Sequence, residues 1–252
     1  MIEITKTEVS GFRAALRGMR NPMNSWSKSD SNPCGEYYCE DCVYYKEEFH
    51  AGCDQYKLGD YVVGPNDLEL ARKLTAAGPV HSKFLRMIHV QMDVNAPLYW
   101  WKEMDTYKVS TVRNSCSTMH KIHSKEFELD DFSHDKLQTL SWEVHSEKDD
   151  LTEYRAYDTS LVLEHVIIAL NIMREQYIKT KEKEYWYQMI QLLPSSYNQL
   201  ATLDLNYETL RNIYRWRKEH KLDEWHDFCE WIENLPYSEL ITMSGKQESS
   251  DE

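Results

Sequence analysis

Four of the six cysteines crowd into one short stretch, Cys34, Cys39, Cys42 and Cys53, with His50 among them. The spacing, C-x4-C-x2-C and then H-x2-C, is close to that by which thiolates and imidazole close a tetrahedral zinc site, and its middle C-x2-C is the standard part. Residues 29–60 around them are rich in Ser, Asn, Gly, Asp and Tyr, and nothing else there could build a core. A metal would supply the missing folding energy. The expectation is a structural zinc held by Cys34, Cys39, Cys42 and Cys53 within an irregular insertion, with reduced free thiols as the alternative.

A second chemistry is written in charge. The 252 residues carry 42 acids against 29 Lys and Arg, a net charge of −13, which disfavours general attraction to nucleic acid or anionic lipid. Three basic islands depart from that average. Gly11 to Lys28 holds Arg13, Arg17, Arg20 and Lys28 with no acid. Pro97 to Lys125 and Asn206 to Leu222 each carry five Lys or Arg against two acids, a local +3. Brought together by the fold they would make a focused anion site; kept apart they are solvated faces. Cys116 adds a thiol that becomes nucleophilic only where cationic neighbours lower its pKa. Tyr99, Trp100, Trp101 and Tyr107 offer ring faces for stacking, or aromatic bulk for a core or interface.

These residues need elements to hold them. Ile2 and Ile4 alternate with polar neighbours and predict a short strand. Asn66 or Asp67 caps a helix to about Ala77, with Leu68, Ala71, Leu74 and Thr75 at helical spacing and Gly78-Pro79 closing it. Phe84, Ile88, Val90, Met92 and Val94 all fall on even positions, the signature of a half-buried strand. Arg86 interrupts that face and requires an anionic partner, either a protein carboxylate or a ligand. Pro97 opens a helix over Leu98 to about Tyr107, followed by a loop over Ser110 to Thr118. Further helices are predicted at Glu153–Lys179, Lys183–Leu192, Tyr207–His220 and Leu222–Leu235, with a short strand over Gln199 to Leu205. Strands mixed with long helices, without regular alternation, predict an α+β domain. Residues 1–240 are expected to form a single domain, 29–60 its insertion and 241–252 an acidic disordered tail. No apolar run approaches the roughly 20 residues that span a bilayer and the first residues lack a signal-peptide core, so a soluble, cytoplasmic protein is expected.

The stretch Leu193 to Arg217, LPSSYNQLATLDLNYETLRNIYRWR, resembles the late segment of the flavin-dependent thymidylate synthases, and the pattern lies over it without a gap. Leu193-Pro194, Asn206, Leu210, Asn212 and Arg217 stand where that family has Leu-Pro, two flavin-contacting asparagines six apart, and an arginine that grips deoxyuridylate. His220 and Trp225 roughly follow its downstream His-Ala-Gln-Trp. Upstream, the stretch from Asn95 is similar to the family signature in Ala96-Pro97, while its Arg-His-Arg triplet falls on Thr106, Tyr107 and Lys108. With one residue inserted, Asn114 takes the signature Asn, Ser115 replaces the Glu, Ser117 takes the substrate-side serine and Met119-His120 replaces Arg-Tyr. Without the insertion Cys116 takes the serine position. His81 to Ile88 resembles the Gly-His-x-Ser-x-x-Glu-His segment, with Arg86 on its final His, and Ile190 stands for the arginine before Leu-Pro.

The resemblance implies an α+β fold of the flavin-dependent thymidylate synthase type, a homo-oligomer, tetrameric by analogy, and reductive methylation of a pyrimidine deoxynucleotide, dUMP to dTMP. FAD would carry the chemistry, with methylenetetrahydrofolate and NADPH as co-substrates and no covalent protein nucleophile. It assigns substrate binding to Arg217, Ser117, Arg113 and Asn114, and cofactor binding to Asn206, Asn212, Lys108 and Arg86. Asn206 also stands between a strand and a helix, where asparagine is a good N-cap. At about 100° per residue, Asn212 and Arg217 lie about 140° apart on their helix, which suits two ligands better than one. A non-catalytic nucleotide-binding or regulatory protein on the same fold is the alternative. A zinc-dependent nucleic-acid binder is disfavoured by the acidic balance.

Overall fold

Val90, Met92 and Val94 are wholly buried and alternate with half-exposed neighbours, as expected of a strand packed on one face. In the computed structural model, which describes residues 2–33, 61–146 and 151–243, the chain begins with β1 (Glu3–Ser10), α1 (Phe12–Arg20), β2 (Asn32–Pro33), β3 (Tyr61–Val62) and α2 (Pro65–Ala76). It continues with β4 (His89–Pro97), α3 (Leu98–Met104), β5 (Val112–Ser115), α4 (Thr118–Lys121), β6 (Thr139–Ser146), β7 (Leu151–Asp158) and α5 (Thr159–Thr180). Last come α6 (Lys183–Leu192), β8 (Asn198–Asn206), α7 (Tyr207–Arg217), α8 (Asp223–Glu233) and α9 (Glu239–Thr242). The main sheet has the strand order β1-β4-β8-β5, and β2-β3 and β6-β7 form two separate antiparallel pairs. The fold is α+β. Cys34, Cys39, Cys42, His50 and Cys53, and the chain after Met243, lie outside the described residues.

The chain divides into two compact units, one of residues 95–104 and 115–200, the other of residues 2–94, 105–114 and 201 onward. In the second, α1 packs on a 3-10 turn at Lys83–Met87 and on α2, while α7 packs on that turn, α8 and α9. Phe12 is buried edge-on to Tyr207 and Tyr237, at ring separations of 5.7 and 5.2 Å. Gly11 has φ 95°, and a Cβ there would lie 2.0 Å from the Met87 carbonyl oxygen, so only glycine fits this entrance to α1.

The same unit buries an ion pair. Arg20 Nε lies 2.5 Å from Asp67 Oδ1, and both side chains are removed from solvent. Ser29 and Ser31 donate to the other carboxylate oxygen at 2.6 and 2.5 Å. Burial alone would raise the Asp67 pKa; hydrogen bonds from Ser29, Ser31 and Arg20, with the guanidinium charge, hold it below the usual carboxylate value. Asp67 therefore anchors α2 and does not cap it. The N-cap is Gly64, and Asp30 reaches across to accept from the amides of Asn66 and Asp67 at 2.9 and 3.1 Å.

Four predicted boundaries need correction. The strand starts at His89, not Phe84: residues 83–87 form a 3-10 turn, in which the adjacent Phe84 and Leu85 are both buried and do not continue the alternation of Val90, Met92 and Val94. Arg86 is thus on an exposed turn. The helix after Pro97 stops at Met104, beyond which Asp105 and Arg113 pair and draw the intervening chain into a loop. Within the predicted loop that follows, Val112–Ser115 forms the edge strand of the main sheet. The helix predicted from Glu153 starts at Thr159, since residues 151–158 pair with β6 and Asp158 supplies the N-cap, accepting from Ser160 N at 2.9 Å.

In the first unit α5 packs against α6, and Ile122, Phe127, Phe132, Leu163, Leu170 and Met189 form the core. Asn171 pins that core to the preceding loop: its carboxamide accepts from Phe127 N and donates to Phe127 O, both at 2.9 Å. Trp100 and Trp101 of α3 are fully buried, so these two rings are core and not stacking surfaces. Around the other side of α5, Leu161, Ile168, Ile172 and Ile178 are exposed.

Candidate functional site

The junction of β8 and α7 is the best-built polar corner of the second unit. Asn206 is buried and caps α7, its side-chain oxygen accepting from Thr209 N at 2.9 Å. Tyr207 follows it inward. Its amide donates to Ile88 O at 3.0 Å and its hydroxyl to Pro236 O at 2.5 Å, and burial pushes the phenol pKa well up. Tyr207, Leu210, Ile213 and Tyr214 then fill one face of α7 at helical spacing. That packing turns Asn212, Arg215 and Trp216 outward and leaves Arg211 and Arg217 half-buried at the flanks.

Arg217 is held by aromatic rings. Its guanidinium carbon lies 4.7 Å from the centroid of Trp225 and 5.5 Å from that of Tyr107, and its Nε donates to the Tyr107 hydroxyl at 2.8 Å. Tyr107 and Trp225 meet edge to face at 6.1 Å. A guanidinium stacked in this way is oriented before any ligand arrives. The loop that brings Tyr107 is tied to α7 by a hydrogen bond from Thr209 Oγ1 to Val109 O at 3.2 Å. It is closed on itself by Arg113, whose Nη1 donates to both carboxylate oxygens of Asp105 at 2.8 Å.

The second unit thus brings together Arg217, Asn206, Asn212, Lys108, Arg113 and Asn114 on α7 and the 105–114 segment, with Lys108, Asn114 and Asn212 exposed. Arg86 is also in this unit, paired with Glu208, which holds its pKa above the ordinary arginine value. The anion Arg86 requires is therefore a protein carboxylate. Ser117 belongs to the first unit, where it caps α4 by accepting from His120 N at 2.9 Å. Cys116, exposed in the same unit, donates its amide to Leu200 O at 2.9 Å and accepts from Gln199 Nε2 at 2.6 Å.

Sequence reasoning counted Asp105 and Glu208 as charges and missed them as partners: Asp105 pairs with Arg113 inside its own basic island, whereas Glu208 pairs with Arg86, outside all three. Trp225 as a wall for Arg217 was also missed. The signal available was its place eight residues on, in the first turn of the next helix, α8.

Among the described residues no group of three or more His, Cys, Asp or Glu is placed to hold a metal ion. None of the described helices is long and apolar enough to cross a membrane.

No family model and no curated protein sequence matches this chain. Solved structures do share its fold. The crystal structure of thymidylate synthase X from Helicobacter pylori with FAD and dUMP is similar at a TM-score of 0.58 and 17% identity, covering 96% of this chain and 97% of that one. A second structure of the flavin-dependent enzyme from Helicobacter pylori, also complexed with FAD and dUMP, gives a TM-score of 0.57 at 16% identity over 95% of this chain and 97% of that one. At such identities the likeness establishes a fold.

Proposed function

We propose that this chain binds a pyrimidine deoxynucleotide and modifies it by flavin-dependent one-carbon transfer, with dUMP to dTMP the leading case. The observation that carries the proposal is Arg217, oriented between Tyr107 and Trp225 at the position where the resemblance expects the substrate arginine. Arg217 grips the nucleotide by charged hydrogen bonds, and preorganisation by the two rings lowers the cost of doing so. Asn114 adds a polar contact in this reading, and Ser117, in the other unit, is proposed as a substrate residue on the resemblance alone. Arg113 acts indirectly, by closing the loop that presents Tyr107.

The donor set suits a flavin dinucleotide at two exposed positions. The Lys108 ammonium has the charge for a diphosphate, and the Asn212 carboxamide has the donor and acceptor for a ring edge. Bound FAD would supply the hydride chemistry, with methylenetetrahydrofolate and NADPH as co-substrates. The homo-oligomer proposed with this function accounts for the exposed apolar side of α5. Zinc at Cys34, Cys39, Cys42 and Cys53 is proposed as structural and is checked by metal analysis of the purified chain.

A second reading, a non-catalytic nucleotide-binding protein, is favoured by the commitment of Arg86 to Glu208 and of the Asn206 oxygen to the helix cap. One experiment separates the two. The protein is incubated with FAD, freed of excess, and its visible spectrum recorded with and without a nicotinamide reductant. A retained band that bleaches supports the flavoenzyme. A chain that keeps no flavin even with dUMP present is the non-catalytic binder.

A further inference from the structure

Beside the turn between α5 and α6, the first unit has a cavity of about 270 Å³ whose lining includes His120, His123, Tyr177, Lys181, Lys183 and Trp186. Four of these six carry, or can carry, positive charge, in a chain whose net charge is −13. Neither lysine makes an ion pair with a described residue; their ammonium groups lie against aromatic rings. Lys181 Nζ lies 5.8 Å from the Tyr177 centroid and Lys183 Nζ 4.9 Å from that of Tyr187. The acids that alternate with them in sequence, Glu182 and Glu184, are exposed and take no part in the lining. Lys181 ends α5 at φ 61°, in the left-handed region where glycine or asparagine is the usual choice.

His123 supplies an independent observation. Its Nδ1 is shielded from solvent and has no hydrogen-bond partner among the described residues. The ring stands edge-on to Tyr177 at 4.9 Å, and Arg174 Nε donates to the His123 carbonyl at 3.1 Å. Burial first, then the charges of Lys181, Lys121 and Arg174, hold the imidazole pKa below its ordinary value. Every charge named here acts on that ring in the same sense. The shielded Nδ1 is not itself a contact for a ligand in the cavity, but an anion held beside the ring by the two lysines would offset the positive charge around it and draw a proton onto the imidazole. Trp186 fixes its own orientation by donating Nε1 to Met119 O at 2.9 Å, which leaves an aromatic wall beside the cations.

We propose that this cavity binds a phosphate group, free or as the monoester of an aromatic compound, through Lys181 and Lys183, with the imidazoles of His120 and His123 beside it and Trp186 as its aromatic wall. The proposal goes beyond the Arg217 reading and uses none of the residues that carry it.

The test is isothermal titration calorimetry of the full chain with inorganic phosphate near neutral pH and at low salt. Binding is expected, weakened on the order of tenfold in each of Lys181→Gln and Lys183→Gln, since each removes one charged hydrogen bond from an exposed side chain. The same losses are expected in an Arg217→Ala background, which removes the other cation offered as a phosphate grip and so separates failure of the two readings. Sulfate stays a dianion from about pH 5 to 8, so any rise in its affinity as pH falls comes from the protein. His120→Gln with His123→Gln should abolish that rise. Phenyl phosphate binding more tightly than inorganic phosphate identifies an aromatic monoester as the ligand, and equal affinity identifies free phosphate. Absence of phosphate binding at millimolar concentration, or wild-type affinity in both lysine variants, overturns the site; a pH-independent sulfate affinity overturns the part given to the imidazole.

Discussion

Two helices of this chain solve the same problem differently. α7 buries Tyr207, Leu210, Ile213 and Tyr214 on one face and turns its cations and Asn212 away from it. α5, twice as long, buries Leu163 and Leu170 fully, yet Leu161, Ile168, Ile172 and Ile178 are 40–55% exposed. An amphipathic helix is completed by its own core, whereas one that is apolar all round belongs in a place covered on every side. The chemistry presented by α7 can therefore be read in a single chain, while α5 is finished only by whatever covers it, in the present proposal a further copy of the chain.

The severest test of the self-sufficiency of α7's unit is its buried ion pair. Asp67→Asn leaves the Arg20 charge buried without its counter-ion and should cost about 3–5 kcal/mol in denaturant unfolding. The pH dependence has a definite sign. Because the folded pKa of Asp67 is depressed, its stabilisation is complete above the unfolded carboxylate value and is lost as pH falls through the folded one. The Asn variant should lack that acid-side decline. A cost below 1 kcal/mol would break the contrast, since the unit would then not depend on its own interior.

Arg217→Ala should weaken deoxyuridylate binding by about 1.5–3 kcal/mol in calorimetry, if the guanidinium makes a charged hydrogen bond to the nucleotide. Arg217→Lys should restore little of it, because an ammonium cannot reproduce the stacked plane. Unchanged affinity in the alanine variant removes Arg217 from the site. Asn206→Ala should cost about 1 kcal/mol of stability as a lost cap, and Asn206→Ser should recover most of that. A serine variant that is stable but fails to retain FAD would give Asn206 a cofactor role besides the cap. The smallest effect is expected on α5. Ile168→Ala with Ile172→Ala should move unfolding of the dilute single chain by no more than about 0.5 kcal/mol each, while shifting sedimentation toward smaller species. Sedimentation identical to wild type would mean that this side of α5 is not where copies meet.

Much of the frame was legible because local pattern and tertiary outcome agree. The even-numbered Val90, Met92 and Val94 define β4, and the Leu205-Asn206-Tyr207 junction reads as strand end, cap and helix start. The failures have physical causes. Glu153 to Asp158, in β7, reads as the start of a helix, and β6 goes unmarked, because the described side chains of this hairpin are almost all exposed on both faces and no apolar alternation marks it. β5 is an edge strand of four residues with equally little burial. At the candidate site the resemblance could name Asn206, Asn212, Lys108, Arg113 and Arg217, but which cations are already neutralised was hidden. Charge counting along the chain cannot tell that Glu208 faces Arg86 across 122 positions, or that Asp105 serves Arg113.

One further consequence follows from the small β2-β3 ladder. Asn32 pairs with Val62 and Pro33 with Tyr61, and just beside them Ser31 ties Asp67 and the Gly64 amide into the same knot. The chain has thus returned to its starting point before the cysteine-bearing residues 34–60 are counted at all. In evolutionary terms the paired neck lets the sequence between its two strands change in length while the residues that form the neck stay fixed. In engineering terms it is a port, where a two-residue turn or a foreign module could be grafted without asking the core to change.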